Sequence, residues 1–210
     1  MIDVTTDGPV TTLTLNRPDK ANALTEAMLR DLHDAVQDAK DAAALILTGT
    51  GKVFSAGADL DAARAGLATS PLWEELSGAI AAHPGLTIAA LNGTVAGGAN
   101  GMVLACDLRI AVPGTKFFYP VMKLGYLPQP SDPVRMAALI GPARTKWMLL
   151  AGQKIATDQA LACGLIDEIV SAETLMDRAR ALCADCMSAD PETAQAIKRL
   201  CNGAAAPDTA

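Results

Sequence analysis

Basic charge is in deficit. The 210 residues carry 17 Lys and Arg against 23 Asp and Glu, a net charge of −6 with an isoelectric point near 4.8. A nucleic-acid-binding surface needs a basic face, and none is visible. The acidity does not exclude an anionic small ligand, since a few local lysines can hold a phosphate against the global charge. Aromatic residues make up 3% of the chain and histidine appears twice, as His33 and His83. His33 falls on the outer side of a helical pattern and His83 in a loop, both read as structural or solvated. No serine–histidine–acid triad can be assigned. The five cysteines, Cys106, Cys163, Cys183, Cys186 and Cys201, are odd in number and follow no framework spacing. That excludes a disulfide-stapled secreted chain and fits a reducing cytosol. Cys183-x-x-Cys186 has no second pair, so zinc is not expected.

Membrane features are also wanting. Residues 76–106 carry no formal charge, but His83, Pro84, Gly85, Asn92, Gly93, Gly97, Gly98 and Asn100 interrupt them. A lipid-facing helix needs about 20 predominantly apolar residues in a row. The segment reads as a buried soluble element. The first ten residues, MIDVTTDGPV, do not have the form of a signal peptide. A cytoplasmic protein without a membrane partner is expected.

What is present is core. Half the residues are hydrophobic, and the length suits one domain at roughly 100–200 residues each. Asp7-Gly8 predicts a hairpin turn. Residues 44–48, 86–91 and 108–112 are short apolar runs that read as buried strands, and 165–170 as a late strand. Helical patterns follow at 26–39, 72–82, 99–106, 143–151, 157–163 and 172–188, the first capped by Thr25. Strands alternate with helices at crossover spacing, which argues α/β with parallel pairing. A core over 1–170, a short C-terminal helical region over 171–203 and a disordered tail over 204–210 are expected.

Two loops carry the chemistry. Ser55-Ala56-Gly57-Ala58-Asp59 follows one buried strand and Gly97-Gly98-Ala99 another. Small residues allow close backbone approach, and free N–H groups where a loop enters a helix can bind an oxyanion. On neighbouring strands, two such loops can aim two donors at one oxygen, each worth about 2.7–4 kcal/mol in a transition state. The same loops also read as ordinary tight turns. Gly49-Thr50-Gly51-Lys52 resembles a phosphate loop, but Ile46 and Val53 break the Walker pattern.

Four blocks in order decide between these readings. Asn16-Arg17-Pro18-Asp19-Lys20-Ala21-Asn22-Ala23-Leu24 comes first. Leu47-Thr48-Gly49 with Phe54-Ser55-Ala56-Gly57-Ala58-Asp59-Leu60 follows. Ile88-Ala89-Ala90-Leu91-Asn92-Gly93 with Gly97-Gly98 and Cys106-Asp107 is third. Gly141-Pro142-Ala143-Arg144 with Gly164-Leu165-Ile166 is last. Together they resemble the crotonase, or enoyl-CoA hydratase/isomerase, superfamily. The resemblance implies a spiral of repeated ββα units and a homotrimer or dimer of trimers. It implies an acyl-CoA thioester ligand, with coenzyme A as part of the substrate and no separate cofactor. It puts the N–H groups of Ala58 and Gly98 at the oxyanion positions. It puts Lys20, Ala21, Ala23, Ala56, Gly57, Asp59, Leu60, Gly97 and Tyr126 against the substrate, Lys20 near a phosphate.

The departures bear on the reaction. Hydratases of this family use two glutamates, whose positions here are Gly101 and Val121. General acid–base groups are worth about 10²–10⁴-fold each, so a poor hydratase is expected. Some family isomerases carry an acid at the position of Gln129. Asp132 is either a displaced base or a helix N-cap beside Pro133. Tyr119 and Tyr126 are candidates to orient a carboxylate or donate a proton. Glu74 and Glu75 lie in a segment that is mobile in the family and read as a solvated face. Decarboxylases of the superfamily need no carboxylate base. Family members also usually continue with further helices after a segment like 194–200, which leaves pocket closure and the trimer open here. The expected activity is isomerase- or decarboxylase-like. The alternatives are a non-catalytic acyl-CoA-binding paralogue or a thioester hydrolase on the same scaffold.

Overall fold

The Asp7-Gly8 turn behaves as its residue types predict. Gly8 takes a positive φ of 57°, and β1 (Ile2–Asp7) pairs antiparallel with β2 (Val10–Leu15). This hairpin opens the computed structural model, which describes residues 1–203. The tail expected at 204–210 lies outside the described residues. A helix, α1 (Glu26–Asp38), follows, with Thr25 Oγ1 accepting from the Met28 N–H at 3.3 Å.

From there the chain repeats one cycle three times: a long strand, a short strand, then helix. The first turn is β3 (Ala44–Gly49), β4 (Val53–Ser55), α2 (Leu60–Arg64) and α3 (Leu72–Ala82). The second is β5 (Leu86–Leu91), β6 (Thr94–Ala96) and α4 (Ala99–Ala105). The third is β7 (Leu108–Ala111), β8 (Lys116–Phe118), α5 (Val121–Leu124) and α6 (Asp132–Leu149). The chain then adds β9 (Ile155–Ala156), α7 (Thr157–Cys163), β10 (Glu168–Ile169), α8 (Leu175–Leu182), α9 (Ala184–Ser188) and α10 (Pro191–Cys201).

The long strands form a six-stranded sheet in the order β1-β2-β3-β5-β7-β10, parallel from β2 onward. The short ones form a second sheet, β4-β6-β8-β9, parallel except at β9. The spiral of ββα units is thus observed. The short strands were not legible in the sequence, because three residues show no period. From β2 to β7 the large sheet is largely buried on both faces, as parallel sheets are, whereas the antiparallel edge strand β1 is mostly exposed. Leu45, Leu47, Ala89 and Leu91 face the main core with α1, α3 and α4. Ile46, Ile88, Ala90 and Ile110 face the other way and are covered by Leu175, Ala179 and Cys183. The helix expected at 143–151 is the second half of α6, which Gly141 interrupts with a φ of 76° before Pro142. No helix among the described residues is long and apolar enough to cross a membrane.

One buried side chain ties the block at residues 16–24 to the sheets. Asn22 is fully buried, in the left-handed region at φ 52°. Its Oδ1 accepts from the Arg17 N–H at 2.8 Å, and its Nδ2 donates to Thr50 O at 2.9 Å and Val53 O at 2.8 Å. Its carbonyl accepts from Ser55 Oγ at 2.8 Å, and Ser55 Oγ in turn accepts from the Gly57 N–H at 3.1 Å. Asn22→Ala leaves the Arg17 N–H and the Thr50 carbonyl without this partner, each at about 1–3 kcal/mol, while Val53 O keeps Asn92 Nδ2 at 3.2 Å. It is expected to lower the unfolding free energy in denaturant titration by at least about 2 kcal/mol. A loss below about 0.5 kcal/mol contradicts this role for Asn22.

Candidate functional site

Strands β4 and β6 are parallel neighbours, so the loops that leave their C-terminal ends emerge side by side. The contact between them is close. Gly57 has a φ of 87°, and a Cβ there would lie 2.8 Å from Ala96 O. Gly97, at φ 56°, completes the turn into α4. Ala58 forms a parallel bridge with Leu24. In that bridge the Leu24 N–H donates to Gly57 O at 2.7 Å, and the Asp59 N–H donates to Leu24 O at 2.8 Å. A parallel pairing of this kind turns the intervening residue's own N–H to the opposite side. The Ala58 N–H therefore has no partner among the described residues, and neither has the Gly98 N–H at the N-cap of α4.

Both residues line one cavity of about 380 Å³. Its wall is mostly small, apolar and aromatic, and Arg64 is its one formally charged side chain. Trp73 lies flat against Gly98, where a Cβ would fall 2.9 Å from the ring. The ring is fixed by its Nε1–H donating to Leu67 O at 2.8 Å. Sequence reasoning passed over Trp73. The available signal was a Trp placed where the helical pattern of 72–82 begins, and that pattern alone reads as core.

The expected site residues divide into two groups. Ala56, Ala58, Leu60, Gly97, Gly98 and Tyr126 come together on the cavity wall, joined by Gln129. Lys20, Ala21, Ala23, Gly57, Asp59 and Asp132 do not line it. Lys20 is exposed on the turn Pro18–Lys20. Ala21 O accepts from the Ala56 N–H at 2.9 Å, and Ala23 O accepts from Arg17 Nη1 at 2.9 Å. Asp59 caps α2 and pairs with Arg17 at 2.7 Å. The hydrogen bond from Arg17 holds its carboxyl below the usual carboxylate range. Arg17, Asp59 and the carbonyls of Ala21 and Ala23 hold the loop in place.

Asp132 is the larger departure. The N-cap of α6 is Ser131, and Asp132 is the helix's first residue, so the capping alternative fails. The Asp132 side chain is fully buried and turns inward. Its Oδ2 accepts from Tyr119 Oη at 2.9 Å, and its Oδ1 has no partner among the described residues. A Cβ on Gly101 would lie 2.9 Å from Oδ1 and 3.2 Å from Oδ2. Burial pushes the Asp132 carboxyl up to about 7, and burial with the neighbouring Asp132 raises the Tyr119 phenol as well. Glu74 accepts from the Ser131 N–H at 3.2 Å and from the Ser131 hydroxyl. Glu75 is exposed.

Comparisons with known proteins bear on the family and the fold. Residues 5–209 match the family model described as enoyl-CoA hydratase/isomerase. The chain belongs to that family, within the crotonase superfamily. A relative from Mycobacterium tuberculosis, named a probable enoyl-CoA hydratase, is 33% identical over 204 residues, covering 96% of this chain and 82% of its own. The carnitinyl-CoA dehydratase of Salmonella enteritidis is 34% identical over 212 residues, covering 95% and 79%. The crystal structure of an enoyl-CoA hydratase from Bacillus anthracis superposes with a TM-score of 0.89 at 28% identity, covering 96% of this chain and 82% of that one.

Within this enoyl-CoA hydratase/isomerase family member, the positions that the resemblance gives to the hydratase acids are Gly101 and Val121, and neither has a carboxyl. The space over Gly101 is occupied instead by the carboxyl of Asp132. Gly101→Ala is therefore expected to destabilise by about 1–3 kcal/mol through overpacking. In an Asp132→Ala background the same change becomes neutral or favourable, because alanine is the better helix former by about 1 kcal/mol. Equal effects in the two backgrounds contradict the contact. The raised carboxyl also makes a pH prediction. Asp132 holds its proton up to about pH 7 when folded but only to about pH 4 when unfolded. Its stabilising contribution is full below about pH 4 and is lost as pH rises through about 7. Asp132→Asn is expected to remove that component from a plot of melting temperature against pH. An unchanged plot contradicts it.

Proposed function

We propose that this chain binds an acyl-CoA thioester with its carbonyl oxygen between the N–H groups of Ala58 and Gly98, and stabilises the enolate that forms there. The observation that carries the reading is the pair of unpartnered N–H groups on one cavity wall, set by two parallel strands. Donors fixed before charge develops need no reorganisation when it does. Coenzyme A enters as part of the substrate, and no further cofactor is invoked. The exposed Lys20 is offered to a phosphate of the nucleotide. Assembly as a homotrimer or dimer of trimers belongs to the same reading, and the exposed Trp147 of α6 and Leu150 just after it offer apolar surface to a neighbouring copy.

The chemistry is isomerase- or decarboxylase-like rather than hydration. Adding water needs positioned acid–base groups, and no Asp or Glu is among the residues that line the cavity. The same fact favours decarboxylation over isomerisation. Breaking a C–CO₂⁻ bond delivers its electron pair to the enolate without any base. The dehydratase and hydratase names of the relatives describe water chemistry, for which this cavity is poorly equipped.

The test is an NMR time course of the folded protein in D₂O with methylmalonyl-CoA, 3-hexenoyl-CoA and crotonyl-CoA. The expected outcome is loss of CO₂ from the first, with deuterium at the α-carbon of the product, slow or no conversion of the second and no hydration of the third. Hydration of crotonyl-CoA as the fastest reaction contradicts the reading. Tight thioester binding with no turnover of any of the three replaces it with the non-catalytic paralogue.

A further inference from the structure

Asp132 sits in surroundings that do not suit an ionised carboxylate. It is fully buried and one of its oxygens has no partner among the described residues. Burying an unpaired carboxylate is costly, and such a group stays protonated instead. The titratable or charged neighbours that face it are Tyr119 after β8, Glu74 of α3 and Arg135 of its own helix. From α4 it meets Gly101, which offers no side chain. Glu74 is engaged by Ser131, and Arg135 donates to Ser77 Oγ at 3.0 Å. Among the described residues no ion pair neutralises Asp132. The one hydrogen-bond partner of its carboxyl there is Tyr119, and Tyr119 lines the same cavity as Ala58 and Gly98. Tyr119 thus connects a buried acid to the wall of the cavity that Ala58 and Gly98 also line.

We propose that Tyr119 protonates the α-carbon of the enolate held by Ala58 and Gly98, and that Asp132 resupplies that proton through the Tyr119 hydroxyl. The inference rests on the enolate reading above and names its substrate class, a 2-carboxyacyl thioester. The step balances. The C–CO₂⁻ bond breaks, its electron pair passes into the thioester as the enolate, and CO₂ leaves. The Tyr119 O–H proton goes to the α-carbon as the carbonyl re-forms. The Asp132 carboxylic acid gives its proton to the Tyr119 oxygen and later regains one from solvent. One proton is consumed per CO₂, with no oxidation or reduction.

The 2.9 Å contact between Tyr119 Oη and Asp132 Oδ2 serves both states. With Asp132 ionised, Tyr119 donates to it and its proton faces away from the substrate. With Asp132 protonated, Oδ2–H can donate instead, and the Tyr119 O–H is released toward the cavity. The acid form is therefore the working form. Burial, which holds this carboxyl protonated up to about 7, keeps it populated near neutral pH. Tyr119 is the catalytic residue, and Asp132 is a positioning residue that acts through it.

The experiment uses the full chain with methylmalonyl-CoA in D₂O and follows CO₂ release, KM and the configuration of the α-deuterated propionyl product. Wild type is expected to give one configuration, with kcat falling as pH rises through about 7. Tyr119→Phe is expected to keep KM within about twofold, lose at least about tenfold in kcat, and give both configurations, since solvent then quenches the enolate. Asp132→Asn is expected to lose a similar factor and to lose the fall with pH. Should Tyr119→Phe not fold, the wild-type pH profile and Asp132→Asn still decide. A wild-type kcat and a single configuration from Tyr119→Phe, or a pH-independent wild-type kcat between about 6 and 8, overturns the relay and leaves the enolate reading standing. A folded wild type that releases no CO₂ overturns the decarboxylation reading and the relay with it.

Discussion

The contact between Gly57 and the Ala96 carbonyl governs the geometry of this protein's cavity. It exists because β4 and β6 are parallel neighbours, and parallel strands leave their sheet at the same end. A side chain at position 57 would push the two loops apart and separate the N–H groups of Ala58 and Gly98. The rest of the fold supports that approach from both sides. Asn22 ties the loop after β2 to the carbonyls of Thr50 and Val53, and through Ser55 reaches the Gly57 N–H. Arg17 ties the same loop to Asp59. The residues around the first N–H are thus held by buried hydrogen bonds, while Trp73 lies across the second. Preorganisation of this kind is what makes backbone donors effective in catalysis.

A second constraint is steric exchange at α4. A side chain at position 101 and the carboxyl of Asp132 compete for the same volume. The Asp132 carboxyl does not line the cavity, and Tyr119, which does, donates to it. Where the resemblance puts a hydratase acid, this chain has a glycine, and the space over it holds a carboxyl from another helix that burial keeps protonated up to about 7.

Much of this was legible in the sequence, for identifiable reasons. The strands at 44–48, 86–91 and 108–112 announce themselves as apolar runs because both faces of the large sheet are covered. The Asp-Gly hairpin and the Thr25 cap follow from local backbone chemistry. The two glycine-containing loops stand out because close approach needs small residues. The second sheet was not legible, since its strands are two or three residues long and hold together only through non-local pairing. Asp132 beside Pro133 has the local signature of a helix cap. What turns it inward is the space that Gly101 leaves free and the hydroxyl of Tyr119, neither adjacent in sequence. Asp59 similarly reads as a ligand contact from its motif, yet its carboxyl is committed to Arg17 and to the start of α2.

The most direct test of the central claim is the infrared difference spectrum of a thioester bound to the protein, with and without ¹³C at the carbonyl. Two N–H donors aimed at one oxygen polarise the C=O bond. The account predicts that the bound carbonyl stretch falls well below its frequency in free acyl-CoA. A bound thioester whose carbonyl absorbs at the solution frequency would contradict the claim that Ala58 and Gly98 converge on that oxygen.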